Sequence, residues 1–329
     1  MHSRYATRWP RVAAVAATAL VVAALPALTP RSAGAADRGN VYAGCRILPA
    51  DSPWNTRVDK RPVDPMSSAY IASAGSWRNL SWSYGTSAGS AYALPVNVAG
   101  PTQPAVDVPQ TMFHTDPGPY PIPSDVRVQP GSDRHVVIVQ RGTCRLFELY
   151  HARREDGRWQ ADSGAIWDLT RNEQRPGGRT SANAAGLPVF PGVLNQNDAR
   201  RRTITHALGV TLPEIQDTWV PPASHSDGKR TESRFMPMGT RLRLRSSFRL
   251  SRLPRQARII GTALKRYGLI VTDTSGTPDN RQYDGVNIDG EASRYFDEAS
   301  RLALYGLHLR DFVVVRHAGP QRRLADLEP

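Results

Sequence analysis

Several signatures are missing from this sequence, and each absence narrows what the chain can do. Lysine is almost missing: Lys60, Lys229 and Lys265 stand alone among 42 basic residues, so the positive charge is arginine charge. Cysteine occurs only at Cys45 and Cys144. No His-Glu-x-x-His segment and no paired Cys/His spacing is present, so no metal site is expected. No serine sits in a Gly-x-Ser-x-Gly elbow, and no glycine-rich phosphate loop follows a strand. No basic helix or nucleic-acid motif accompanies the charge, so a nucleic-acid partner is not expected. No internal repeat is visible. The longest apolar run, Val12 to Leu25, is shorter than the roughly 20 residues that cross a bilayer.

That run has the surroundings of an export signal. Arg4, Arg8 and Arg11 precede it, Pro26 ends it, and Ala33-Gly34-Ala35-Ala36 offers small residues for cleavage. Residues 1–36 are expected to be a signal peptide. Residues 37–329 then form a single secreted, extracellular β-rich domain, with no membrane attachment after cleavage. An uncleaved anchor is the alternative. The chain carries a formal net charge of +13, and only Arg4, Arg8, Arg11 and Arg31 would leave with the signal. Scattered arginine favours anionic partners such as cell-wall polymers or acidic glycans, and a monomer is expected. In an oxidising compartment two cysteines imply one disulfide, Cys45–Cys144, reaching the turn Arg141-Gly142-Thr143. A nucleophilic cysteine is the alternative, without a nearby histidine to support it.

Residues 37–130 are loop-rich, with many prolines and aromatics, and Ser67 to Ala74 suits a short helix. Asp116-Pro117-Gly118-Pro119-Tyr120-Pro121-Ile122-Pro123 must be extended, because each proline fixes its own backbone and restricts its neighbour. It would line a glycan groove or strap a sheet edge. Strands are expected at His135–Gln140, Cys144–His151, Arg158–Ala161, Ala165–Leu169, Thr203–Thr211, Thr240–Ser246, Leu269–Thr272 and Phe312–Val315. Thr170 to Asn197 is a long irregular stretch. In Thr240–Ser246, Leu242 and Leu244 alternate with Arg241, Arg243 and Arg245, which predicts one buried and one wet face. Two late helices are expected, one from Pro254 to Gly268 and one over Glu291–Leu304. The fold class is β-rich α+β, a single-domain, sandwich-like sheet core.

Leu48-Pro49-Ala50-Asp51-Ser52-Pro53-Trp54-Asn55, Asp116 to Pro123, Leu146-Phe147-Glu148-Leu149-Tyr150, His206-Ala207-Leu208, Pro237-Met238-Gly239 and Leu264-Lys265-Arg266-Tyr267-Gly268 together resemble a family of secreted, mostly bacterial, largely uncharacterised proteins. The resemblance spans residues 48 to 273. It implies export and supplies no reaction. Members carry Asp where this chain has Asn183.

The chemistry must be read from the residues. Paired carboxylates cleave glycosidic bonds, one donating a proton while the other acts as base or nucleophile. Glu148, Asp162 and Asp168 fall on neighbouring strands and would meet on one face. Glu148, between Leu146 and Tyr150, is the expected acid/base if burial raises its pKa, with Asp168 or Asp162 as its partner and His206 as orienter. The competing reading has the aspartates capping turns, Glu148 paired with an arginine, and His206 in the core. Trp54, Tyr120 and His225 are candidate substrate contacts, since sugar rings stack on aromatic planes; the same aromatics would otherwise fill the core. Asp279, Asp284, Asn287, Asp289 and Glu291 offer oxygens that would suit Ca²⁺. A solvated acidic loop is the simpler reading, and no cofactor is expected. The resulting expectation is a hydrolase or lyase of extracellular or cell-wall polysaccharide. The alternative is a non-catalytic glycan- or wall-binding protein.

Overall fold

The computed structural model describes residues 39–84, 92–113, 115–275 and 285–327. The expected signal peptide lies outside these residues, as do Asp279 and Asp284. In chain order the elements are β1 (Val41–Tyr42), β2 (Cys45–Arg46), α1 (Ser67–Ser73), β3 (Leu80–Ser83), β4 (Val96–Ala99), β5 (Val136–Gln140), β6 (Arg145–Tyr150), β7 (Arg153–Glu155), β8 (Arg158–Gln160) and β9 (Ser163–Asp168). There follow α2 (Gln196–Arg201), β10 (Leu208–Leu212), β11 (Ile215–Trp219), β12 (Met236–Met238), β13 (Arg241–Leu244), α3 (Arg255–Arg266), β14 (Leu269–Thr274), β15 (Val286–Asp289), α4 (Glu298–Leu304), β16 (Phe312–Val315) and β17 (Arg322–Arg323).

Two sheets dominate this β-rich α+β, sandwich-like architecture. One is six-stranded and mixed, in the order β16-β13-β14-β10-β15-β3; the other is four-stranded, β4-β5-β6-β9. The four-stranded sheet is covered on both sides, which is why β5 is apolar at Val136, Val137, Ile138 and Val139 in succession. Val137, Val139, Leu146 and Trp167 face the main core, while Val136, Ile138, Phe147 and Leu149 face a smaller core with Tyr120 and Ile122. The proline-rich segment is the lid of that smaller core. Tyr120 is fully buried, packs edge-on against Phe147 and donates its hydroxyl to the Asp116 carbonyl. A Cβ at Gly164 would lie 2.1 Å from the Tyr120 hydroxyl, so the strap needs glycine there.

Some elements differ from expectation for local reasons. The last helix starts at Glu298, because Glu291 and Ala292 donate their backbone N–H groups to Leu194 and Leu94 as extended chain. Asp297 then caps the helix through the Ser300 N–H. α2 starts in the last two residues of the tract expected to be irregular and runs past its end, and Asn195 and Asp198 form its capping box. β10 starts only at Leu208, since the Ala207 N–H goes to the Trp54 carbonyl. Arg241 is not on a wet face: it is buried and donates to the carbonyls of Pro53, Thr56 and Tyr267. Burial pulls its pKa below the ordinary arginine value, with Arg61 adding repulsion.

Cys45 and Cys144, 99 positions apart in sequence, are joined, with Cα atoms 5.4 Å apart. The bond pins the β1–β2 ribbon to the β5–β6 turn. A loop of that length is worth about 3–5 kcal/mol in the chain-entropy model. Urea denaturation of the Cys45→Ser/Cys144→Ser variant should show a stability loss of that order. An unchanged midpoint would mean that the ribbon is held by packing alone.

Candidate functional site

Strand alternation places Glu148 on the main-core side of β6, opposite Val137 and Ala165. It is fully buried. Its Oε1 accepts the Phe190 N–H at 2.8 Å, and its Oε2 accepts the Val189 N–H and the Trp167 indole N–H, each at 3.0 Å. Burial raises its pKa to about 7, against the pull of these three donors and of Arg175. The carboxyl therefore grips a loop. It does not face a substrate.

His206 grips the same loop from behind. It is fully buried, contacts Asp198 Oδ2 through Nε2 at 3.0 Å and donates from Nδ1 to the Ala207 carbonyl. Burial works against its protonation, but Asp198 outweighs that and raises the pKa, with help from the carbonyls of Ala207 and Pro191. Trp54 packs on Gly192, where a Cβ would meet the ring at 2.6 Å. Glu148, His206 and Trp54 thus converge on residues 189–192 as structural anchors.

The two aspartates proposed as partners for Glu148 are elsewhere. Asp162 precedes β9 and Asp168 ends it, which separates them by about 20 Å of extended strand. Asp162 takes hydrogen bonds from His151, Arg153 and Thr111; although burial opposes it, these hold its carboxyl below the usual range. Asp168 is held low by the Thr170 hydroxyl and N–H. It lines a cavity of about 200 Å³ with Asp116, Trp167, Arg171 and Arg175, and Glu148 is not among the lining side chains. Neither Trp54 nor Tyr120 presents a ring to solvent, so neither is a stacking platform. Of the Ca²⁺ candidates, Glu291 is buried, with one oxygen on the Tyr42 hydroxyl and the other on the Gln196 N–H. Among the described residues no group of three or more His, Cys, Asp or Glu side chains is placed to hold a metal ion.

A different group of titratable residues meets between the two sheets. Register across the six-stranded sheet lines up Asp273 on β14, Thr211 on β10, Asn287 on β15 and Ser81 on β3. Asp289 and Ser83 form the next pair on that face. A register shift between Val210 and Thr211 re-aims the end of β14, as bulges beside functional sites do. Asp133 and His135, before β5, and Tyr150, at the end of β6, lie within electrostatic reach of this group: Asp133 acts on Asp273, Asp289, His135 and Tyr150. The His135 and Tyr150 rings lie 5.4 Å apart. Apart from Ser83, which is buried, these side chains are half-buried and keep some accessible surface; we call this half-buried group the recess.

The electrostatics of the recess are uneven. Burial raises the Asp273 pKa well above the ordinary aspartate value, with further upward pushes from Asp227 and Asp133. The N–H groups of Ala184 and Thr274, which bond its two oxygens, pull the other way. Burial and Asp133 lift Asp289 to about 6, opposed by the Asn287 amide. Burial lowers the His135 pKa against the influence of Asp133, and its Nδ1 has no hydrogen-bond partner among the described residues; nor does Thr211 Oγ1. Asp227 is exposed and accepts the Thr274 hydroxyl at 2.6 Å. Asp273 and Asp227 are therefore tied to the same residue. Two hydrogen bonds through one threonine bound their oxygens to within about 9 Å. His225 borders the group, donating from Nδ1 to the Ala184 carbonyl.

The sequence does not single out Asp273, Asp227 or Asp133, and His135 enters there only as the first residue of an expected strand. One signal was available: Leu269-Ile270-Val271-Thr272 is an interior strand running directly into Asp273, and ligands collect at the carboxyl ends of parallel strands such as β10 and β14. No protein-family model, curated protein or solved structure matches the chain.

Glu148→Gln gives a direct check on the anchor. Glutamine cannot accept all three N–H donors, so at least one buried donor loses its partner, at about 1–3 kcal/mol. The thermal midpoint should fall while any activity of the folded fraction persists. The wild type should also lose stability as pH rises from about 4.5 to about 7. Over that interval the folded protein holds the Glu148 proton more tightly than the unfolded chain does. Glu148→Gln should flatten that slope, and a variant with unchanged stability but no activity would contradict the anchor role.

Proposed function

We propose that the protein is a secreted, carbohydrate-active hydrolase that cleaves glycosidic bonds of an extracellular or cell-wall polysaccharide in the recess around Asp273. The observation that carries this reading is the Asp273–Asp227 pair. Two carboxyls joined through Thr274 sit in different environments, one half-buried with a raised pKa and one exposed. Environments that push two carboxyls apart assign the acid and the base.

In this reading Asp273 enters the reaction protonated. It gives its proton to the glycosidic oxygen as the bond from that oxygen to the anomeric carbon breaks. Asp227 takes a proton from the attacking water, or attacks the anomeric carbon itself. The bound of about 9 Å covers the spacings of both inverting and retaining pairs, so the anomer of the first product distinguishes them. Asn287 and Asp289 supply hydrogen-bonding groups for sugar hydroxyls. Export is supported by the Cys45–Cys144 disulfide, a bond that persists outside reducing compartments. Among the described residues no helix is long and apolar enough to cross a membrane.

The test is a panel of neutral, acidic and amino-sugar polysaccharides incubated with the disulfide-bonded protein, with reducing ends and unsaturated ends read separately. Reducing ends should be released without unsaturation. Asp273→Asn should lower the rate about 10²–10⁴-fold, the usual range for removing a general acid. The wild-type rate should fall on the alkaline side as Asp273 deprotonates. Stability supplies a readout that needs no substrate. A raised folded pKa costs stability as pH rises from about 4 through the folded value, so Asp273→Asn should lose less stability than wild type between pH 5 and pH 8. Full activity in Asp273→Asn, or unsaturated products, would overturn the assignment.

A further inference from the structure

A second surface carries the opposite charge. Arg255, Arg258, Ile259 and Thr262 lie at helical spacing on one face of α3, and with Arg202 they line an open cavity of about 290 Å³. All three arginines are exposed. Among the described residues none of their guanidinium groups makes an ion pair or a hydrogen bond, whereas Arg153, Arg175, Arg230 and Arg301 pair with carboxylates elsewhere. The arrangement also runs against helix electrostatics. The first turn of α3 holds no acidic residue and the helix has no side-chain cap, so Arg255 and Arg258 add positive charge to an already positive end. Arg202 ends α2 in the left-handed conformation, which brings it to the cavity beside Arg200 and Arg201.

An aromatic platform adjoins the cavity. Tyr295 is 40% exposed, and the guanidinium groups of Arg200 and Arg294 lie 5.2 Å and 5.6 Å from its ring centre. Gln256, next to Arg255, donates to the Tyr295 carbonyl at 3.0 Å and so fixes the platform against the start of α3. A planar ring next to three guanidiniums suits a chain that alternates flat sugar faces with oxyanions. Guanidinium forks bind carboxylate and sulfate oxygens in pairs, and sugar rings stack on tyrosine.

We propose that this surface, formed by Arg202, Arg255, Arg258 and Tyr295, is a docking site for an anionic glycan, separate from the Asp273 recess. It seats one oxyanion of the repeating unit in the arginine cavity and a neighbouring sugar ring on Tyr295. Its role is to hold the protein on an acidic polymer. It does not depend on cleavage in the recess.

The experiment measures binding alone, by calorimetry and affinity electrophoresis of the full chain. The probes are polygalacturonate, dextran sulfate, neutral dextran and single-stranded DNA at low and moderate salt. The protein should bind at least one of the two acidic glycans, with affinity falling as salt rises, and should ignore neutral dextran. The two acidic arms separate carboxylate from sulfate recognition. Arg202→Gln/Arg255→Gln/Arg258→Gln should weaken binding roughly tenfold or more. A charge-matched control, Arg141→Gln/Arg154→Gln/Arg158→Gln, should change it less than about threefold. Tyr295→Ala should weaken glycan binding several-fold. Equal loss in both triple variants would reduce the effect to net charge and overturn the site. So would tighter binding of DNA than of either acidic glycan, or no binding at all. Circular dichroism checks that the variants, all at exposed positions, remain folded. No residue of the recess is altered, so failure here leaves the hydrolase reading standing, and failure there leaves this site standing.

Discussion

The buried carboxyl of Glu148 holds the interior together. The chain from Thr170 to Asn195 has almost no regular structure, yet it runs between the two sheets and must find partners for its backbone groups. Glu148 takes two of its N–H groups directly, at Val189 and Phe190. From there the loop is tied to β14 through Ala185 and Thr272, to β9 through Ser181 and Ser163, and to β15 through Leu194 and Asp289. His206 and Trp54 close it from the far side. Because the loop is fixed, Ala184 is fixed, and Ala184 presents the N–H that meets Asp273. The anchor and the candidate site are consecutive links of one chain of contacts.

This arrangement divides labour between two raised carboxyls. Both Glu148 and Asp273 are pushed up chiefly by burial. Their surroundings differ. Glu148 has no accessible surface and three donors from the loop and Trp167, so its proton equilibrium affects folding. Asp273 keeps a solvent path, has two other aspartates pressing on it and sits beside the exposed Asp227. A perturbed pKa marks a functional group only when a substrate can reach it.

Much of the framework was legible in the sequence, and the site was not. Continuous apolar runs such as Val136–Val139 and Phe312–Val315 can only be interior strands, and the α3 pattern ended at Gly268 as a helix should. The alternation of β6 was equally legible, and it placed Glu148 on the face of Leu146 and Tyr150. What covers that face was not legible, because the cover is an irregular loop more than 40 positions away. Arg241 misled for a similar reason: alternation predicts which residues share a face, and the segment that buries the face comes from Pro53 and Thr56. The recess gathers Asp133, Asp227, Asp273 and Asp289 from four separate parts of the chain. A bulge that no local pattern announces sets the aim of Asp273. The disulfide was legible because a chain with only two cysteines has one possible pairing.

The central claim is that Asp273 holds a proton at pH values where ordinary aspartates have lost theirs. Carbon-13 NMR of aspartate carboxyls, followed from pH 3 to pH 9 in wild type and in Asp273→Asn, measures this directly. The account predicts one carboxyl resonance that titrates well above the rest and is absent from the variant. If the resonance that Asp273→Asn removes completes its titration below about pH 5, Asp273 is an ordinary carboxylate and the acid–base reading of the recess is wrong.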